Sequence, residues 1–201
     1  MHITWHGFSC VKLQTQQGTL LLNPFQDSGS LSMPKLKVDI VASSDPNNDQ
    51  CNNFERLQGE PFVISGPGEY EVKDFFVYGL PNSNGQTVYM IESEGMRIGY
   101  PGIAAHALSD ETVKFLEGVD LLFLPVTGGT AATRATLISE LEPRVIIPVQ
   151  YATGKTTSAL DPIDAFLKEM GVKNITPEKK VILKVRDLPA EETQITILDI
   201  A

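Results

Sequence analysis

The chain has 201 residues, 42% of them hydrophobic, and a formal net charge of −9 from 25 acidic and 16 basic side chains. That is enough apolar matter to bury a full core as one domain over 1–201, with pseudo-halves at about 1–95 and 96–201. The acid excess argues against a surface that tracks phosphates, and no apolar run reaches the roughly 20 residues of a membrane span, so neither nucleic acid nor membrane is an expected partner. The opening MHITWHGFSC lacks a basic stretch followed by an apolar one, and two cysteines make no disulfide framework, so a reduced, cytoplasmic setting is expected.

The first quarter is a series of short strands at Ile3–Trp5, Val11–Leu13 and Thr19–Leu22, separated by Gly7 and by Gln16-Gln17-Gly18. Segments this short and closely spaced predict an antiparallel meander. A strand at Ile40–Ala42 leads into a polar loop, and a short helix is expected over Asn53–Leu57. Phe62–Ile64 is expected to be a buried strand, stopped by Gly66-Pro67-Gly68. Strands follow at Glu69–Val72, Phe75–Leu80, Thr87–Ser93 and Met96–Gly99, with loop PNSNG at Pro81–Gly85 and a tight turn at Glu94-Gly95.

The second half changes period. Ser109 before Asp110 and Glu111 is a helix start, with Val113, Phe115 and Leu116 as apolar face and Gly118 as stop. Val119–Val126 and Arg144–Val149 are apolar runs of strand length, as expected of strands covered on both faces. Helices are predicted over Thr130–Glu142, with Leu137, Ile138 and Leu141 inward, and over Pro162–Met170. Late strands are expected at Val181–Val185 and Gln194–Leu198. A strand-rich half followed by alternating helix and strand predicts an α/β fold of two sheets with helices outside.

The most informative stretch is VDIVASSDPNNDQCNN at Val38–Asn53, in which an apolar strand runs into Asp45, Asn47, Asn48, Asp49 and Gln50. Ligands of metal hydrolases project from such a strand end, yet the loop holds no His, the usual nitrogen ligand of a catalytic zinc.

Seven strings carry a family resemblance: ITWHGFSC, LLLNPF, KVDIVASS, GPGEYEV, TVYMIE, VDLLFLPVTGG and LEPRVIIPVQY, in order between Ile3 and Tyr151. In these the chain resembles the metallo-β-lactamase superfamily, and within it the L-ascorbate-6-phosphate lactonase-like hydrolases. The resemblance implies an αβ/βα four-layer sandwich: two mixed β-sheets face to face, helices outside, and a site at the strand ends between the sheets. It also implies a metal loop H-x-H-x-D-H, whose positions fall here on Asp45, Asn47, Asp49 and Gln50. The family's next His has no counterpart in Pro81–Gly85, its bridging Asp falls on Ile103, and its last His falls on Gln150. The opening G-H-S becomes Gly7-Phe8-Ser9, and the Asp of I-D-P becomes Asn23. Only Asp49 keeps a ligand-type residue where the family has one.

The expectation is therefore a relic site that holds no metal and a non-catalytic protein with a binding, regulatory or structural role. Phe8 and Ile103 are expected to touch each other or Tyr151 and to fill the former metal space, with Asn47, Gln50 and Gln150 hydrogen-bonded around the rim. One alternative is a metal-dependent hydrolase whose oxygen-rich loop holds a hard divalent cation. Another is a metal-free hydrolase that uses His6, Cys10 or His106, with Cys51 brought close to Cys10. The bland readings stand beside these: Asx side chains bonded to their own loop, a surface His106, and Cys10 and Cys51 as small buried hydrophobes. Glu69 and Glu71 are expected to be structural, the Gly128-Gly129 turn a plain helix entry rather than an anion site, and Lys179, Lys180, Lys184 and Arg186 an ordinary solvated face. The partner is left open, a homo-oligomer included.

Overall fold

The computed structural model describes residues 1–29, 31–103, 108–156, 160–173 and 175–201. The opening meander is as expected: β1 (His2–Gly7), β2 (Cys10–Gln14) and β3 (Thr19–Leu22) pair antiparallel in sequence. Two parallel strands, β5 (Ile40–Ala42) and β7 (Phe62–Ile64), extend this sheet to one side. The late strand β14 (Val181–Ile182) closes the other side against β1, giving the order β14-β1-β2-β3-β5-β7. A two-residue ribbon of β4 (Leu36–Lys37) and β6 (Leu57–Gln58) stands apart.

The chain enters its second sheet at β8 (Gly68–Val72) and continues through β9 (Phe75–Pro81), β10 (Thr87–Ser93) and β11 (Met96–Tyr100) as a second antiparallel meander. From there the pairing turns parallel, through β12 (Leu121–Pro125), β13 (Val145–Val149) and β15 (Gln194–Ile195). Every residue of β12 and β13 is buried, as their unbroken apolar runs require. The change of sheet falls between Ile64 and Gly68, well before residue 95.

Trp5 of the first sheet and Tyr89, Tyr100 and Phe123 of the second are almost fully buried in one hydrophobic core. The Tyr89 hydroxyl donates to the Ser43 carbonyl at 2.7 Å and the Tyr100 hydroxyl to the Ser9 carbonyl at 2.7 Å, which ties the second sheet to loops of the first. Among the described residues the α-helices all lie in the second half: α1 (Asp110–Phe115), α2 (Ala131–Leu141) and α3 (Ile163–Glu169). Ser109 caps α1 as expected, and Thr130 caps α2 in a reciprocal pair with Thr133.

Several local expectations change. The strand expected over Gln194–Leu198 keeps only Gln194–Ile195. Phe62 and Val63 are about half exposed rather than buried, because β7 is the outermost strand of its sheet. Asn53–Leu57 narrows to a single 3-10 turn at Phe54–Arg56. The strand expected over Val181–Val185 stops at Ile182 and passes into a 3-10 turn at Val185–Asp187. Ile138 is only half-buried on α2, and Arg134 lies inward instead.

Candidate functional site

The strand ends at which the resemblance places a site are joined by hydrogen bonds between five segments. At the end of β3, Asn23 is fully buried: its Nδ2 donates to Ser9 Oγ at 3.1 Å and Ser44 Oγ at 2.8 Å, and its Oδ1 accepts from the Ser44 N–H at 2.7 Å. The Thr87 N–H, at the start of β10, donates to the Ser44 carbonyl at 2.8 Å. At the end of β13, the Gln150 N–H donates to the Phe8 carbonyl at 2.8 Å. Close approach from the far side depends on Gly102, whose φ is 79° and where a Cβ would lie 2.8 Å from Ser44 Cβ.

Three non-glycine residues here have left-handed backbones: Phe8 (φ 47°), Asn23 (φ 48°) and Gln150 (φ 57°). Such conformations cost on the order of 1–3 kcal/mol each and gather where a fold positions functional groups. Each stands at a position where the resemblance places a family motif residue.

The polar rim is an amide rim. Gln150 Nε2 donates to Gln50 Oε1 at 2.6 Å, although the two lie a hundred residues apart. Gln150 is 5% exposed, and its Oε1 is buried with no partner among the described residues. Asp45 accepts from the Asn47 N–H on Oδ1 at 3.2 Å and from Gln86 Nε2 on Oδ2 at 3.3 Å. Gln86 was not singled out in the sequence; an amide just after a PNSNG loop carries no motif that would reveal it. Asn47 takes no part in the amide bridge: it is exposed and contributes its backbone N–H. Asp49 is exposed too, and its carbonyl accepts from the Gln26 N–H at 2.7 Å.

The aromatic residues pair separately. Phe8 is buried and meets the Phe25 ring edge-on at 5.1 Å, while Tyr151 stacks on Trp5 at 4.6 Å and donates its hydroxyl to the Leu198 carbonyl at 2.8 Å. The backbone link from Phe8 to Gln150 brings these pairs side by side, and Ile103 is half-buried. Burial raises the Tyr151 phenol, so it stays protonated.

Among the described residues, no hydrogen bond links His6 to Cys10 or Cys51, although the two cysteines are near enough to interact, as expected. His6 lies on the side of β1 opposite Trp5, with Nε2 3.5 Å from Thr4 Oγ1 and Nδ1 buried without a partner among the described residues. Burial, and to a lesser degree the Lys12 ammonium, lowers its pKa to about 4, so it is neutral at pH 7. Cys10 is fully buried, with Sγ 3.9 Å from Met33 Sδ, and burial holds its thiol well above the usual range. Cys51 sits 3.8 Å from Ser44 Oγ and is pushed up to about 12, chiefly by burial. Neither sulfur is a ready thiolate. His106 lies outside the described residues. At Gly128-Gly129 the Gly129 carbonyl accepts from Arg134, and Thr130 caps the helix that follows with its own hydroxyl, as expected of a plain helix entry.

A model of the β-lactamase superfamily domain matches residues 2–150, well over half of the chain. The chain belongs to the metallo-β-lactamase superfamily, and its two-sheet sandwich is that family's fold. It is 23% identical over 195 residues to a metal-dependent hydrolase from Lysinibacillus sphaericus, a match covering 76% of this chain and 86% of the relative. Among solved structures it is similar to a candidate Zn-dependent hydrolase of the superfamily from Thermotoga maritima, with 26% identity and a TM-score of 0.82 over 99% of this chain and 100% of that one. An isothiocyanate hydrolase from Delia radicum gut bacteria shares the fold at 13% identity, with a TM-score of 0.68 over 92% of this chain and 99% of that one. These matches establish the superfamily and do not single out the lactonase-like branch.

Proposed function

We propose that this chain is a superfamily member that has exchanged its metal-binding side chains for a bonded amide pair, and that it works as a binding or regulatory protein rather than as a hydrolase. The observation that supports this is the 2.6 Å bond from Gln150 Nε2 to Gln50 Oε1. Both positions correspond to metal-ligand His in the family pattern. Here the bond occupies Gln50 Oε1, the atom through which that side chain would hold a cation, and leaves Gln150 only an amide oxygen to offer; amides are poor zinc ligands beside imidazole and thiolate. The remaining donors do not fit a catalytic zinc either. Asp45 is engaged by Gln86 and Asn47, and among the described residues no three His, Cys, Asp or Glu side chains form a metal-holding group. The expected setting remains cytoplasmic, with no resident cofactor.

Elemental analysis of untagged, dialysed protein tests this, and substoichiometric zinc, manganese and iron is the expected result. About one or two tightly held ions per chain would overturn it. A constructive arm restores the family ligands: Gln50→His with Gln150→His, beside the native Asp49, should gain Co²⁺ absorption that the parent chain lacks.

A second reading is a metal-dependent hydrolase with a hard cation on the oxygen-rich loop. The names of the relatives from Lysinibacillus sphaericus and Thermotoga maritima favour it. It requires the melting temperature to rise with Mg²⁺ or Mn²⁺, since a ion bound only by the folded state stabilises it.

A further inference from the structure

We infer that the open edge made by β7 and β8 is a docking surface for an extended, basic segment of a partner protein, which adds to β8 as a further strand. Both sheets end on this side: β7 is last in the first sheet and β8 last in the second. The large apolar side chains most exposed among the described residues are Phe62 at 47%, Val63 at 48%, Phe76 at 39% and Ile182 at 51%; all but Ile182 lie on β7 or on β9, the neighbour of β8. Tyr70 of β8 meets the Phe62 ring edge-on at 6.3 Å, so the two edges share one apolar strip.

Side chains alternate along β8: Tyr70 and Val72 are half-buried, and Glu69 and Glu71 are exposed. The register sets Glu69 opposite Tyr78 and Glu71 opposite Phe76, so the outward face carries two carboxylates beside two aromatic rings. An edge strand also offers N–H and C=O groups that no neighbouring strand has used. A strand added there presents alternate residues to two faces. Those beside Glu69 and Glu71 are favoured when positive, because opposite charges across a strand pair stabilise it and like charges do the reverse. Those on the other face meet Phe62 and Tyr70 and are favoured when apolar. Lysine or arginine alternating with an apolar residue is the pattern this edge recognises.

A second copy of this chain fits worse. Pairing β8 with itself sets Glu69 and Glu71 against the same two glutamates, between molecules that each carry a net charge of −9. Edge glutamates alone are a common guard against self-pairing. That role accounts for Glu69 and Glu71 but leaves Phe62, Val63 and Phe76 half in water.

The probe is a fluorescent peptide of about seven residues alternating lysine and valine, compared with a peptide of the same composition whose lysines are grouped. Anisotropy should show saturable binding of the alternating peptide, about tenfold weaker for the grouped one. Glu69→Lys with Glu71→Lys, and separately Phe62→Ser, should each weaken it about tenfold. All three positions are exposed, and circular dichroism verifies that the variants fold. Equal affinity for the two peptides, or binding unchanged by Phe62→Ser, would overturn the proposal and leave only attraction to an acidic surface. No binding would overturn it as well. So would a concentration-dependent dimer in sedimentation that Phe62→Ser abolishes, since a second copy would then own the edge. None of these residues belongs to the Gln50–Gln150 bridge, so failure here leaves the reading of the cleft standing.

Discussion

His6 is a charge held in reserve. Its imidazole is buried and neutral in the folded protein, with a pKa of about 4 against 6.5 for the unperturbed group. Between those values the unfolded chain binds the proton and the folded one does not, so stability rises with pH across that window. The contribution is complete above pH 6.5 and is lost as pH falls towards 4; a shift of this size amounts to about 3 kcal/mol. Urea titrations between pH 4 and 7 should show that loss in the parent and a flatter profile in His6→Gln. Asp49 is bound to its surroundings through its backbone alone among the hydrogen bonds of the described residues. It is exposed and serves its loop through its carbonyl, so Asp49→Ala should change stability by no more than about 0.5 kcal/mol, or raise it. Thermal melts check this, and a large loss in the variant would point back to a cation on the loop. At this scale the positions of Gln50 and Gln150 were legible, because each follows a strand of recognisable sequence. Their mutual bond was foreseen only as part of a general rim. The part of Gln86 was not legible, because a bond between two loops depends on backbone paths that no local pattern encodes.

Among the elements, α2 shows how a polar residue can hold a wall in place. Arg134 is 8% exposed; it donates to both Glu169 carboxylate oxygens on α3 and, through Nη1, to the carbonyls of Val126 and Gly129, each at 2.8 Å. It thereby ties the loop after β12 to two helices. Arg134→Met should cost about 2–4 kcal/mol, since it leaves two carbonyls and a carboxylate without their donor. Glu169→Gln should cost less, because it keeps an acceptor and Glu169 is partly in water. Chemical denaturation of the two variants compares them. The cap at Ser109 was legible, because a hydroxyl before a helical period satisfies its own first turn; Thr130 was read as the first helical residue and is the cap instead. The inward turn of Arg134 was not, since an arginine on a helix ordinarily marks the solvent side. The exposure of β7 escaped for a related reason. FVI has the composition of a buried strand, and only the order of strands shows that nothing pairs beyond it.

Over the whole molecule, two sheets with helices outside were legible from the strand-rich first half and the alternating second half, and the resemblance between Ile3 and Tyr151 implied the face-to-face sandwich. The last quarter was less so: β14 and β15 have two residues each, too short for a period to declare itself. Cooperative burial has a readout in the two cysteines, both 0% exposed and both with pKa raised. Native protein should leave Ellman's reagent almost unreacted at pH 8, whereas the denatured chain should release both thiols at once. Fast labelling of either cysteine under native conditions would mean that the strand-end region opens locally, independently of the core.

The position of β1 has a consequence for the order of events in folding. It lies between β2, its immediate successor, and β14, which arrives only at Val181–Ile182, and its Trp5 is bridged again by Ile200. During synthesis the opening meander can form on the ribosome, but the outer edge of β1 stays unzipped until almost the entire chain has emerged. Closing so long a loop is entropically slow. Refolding should therefore show an early phase in which the hairpins gain protection from hydrogen exchange, and a later one in which the amides of β1 that face β14 do. Until that second phase the nascent protein exposes an open strand, which is the state a chaperone would meet.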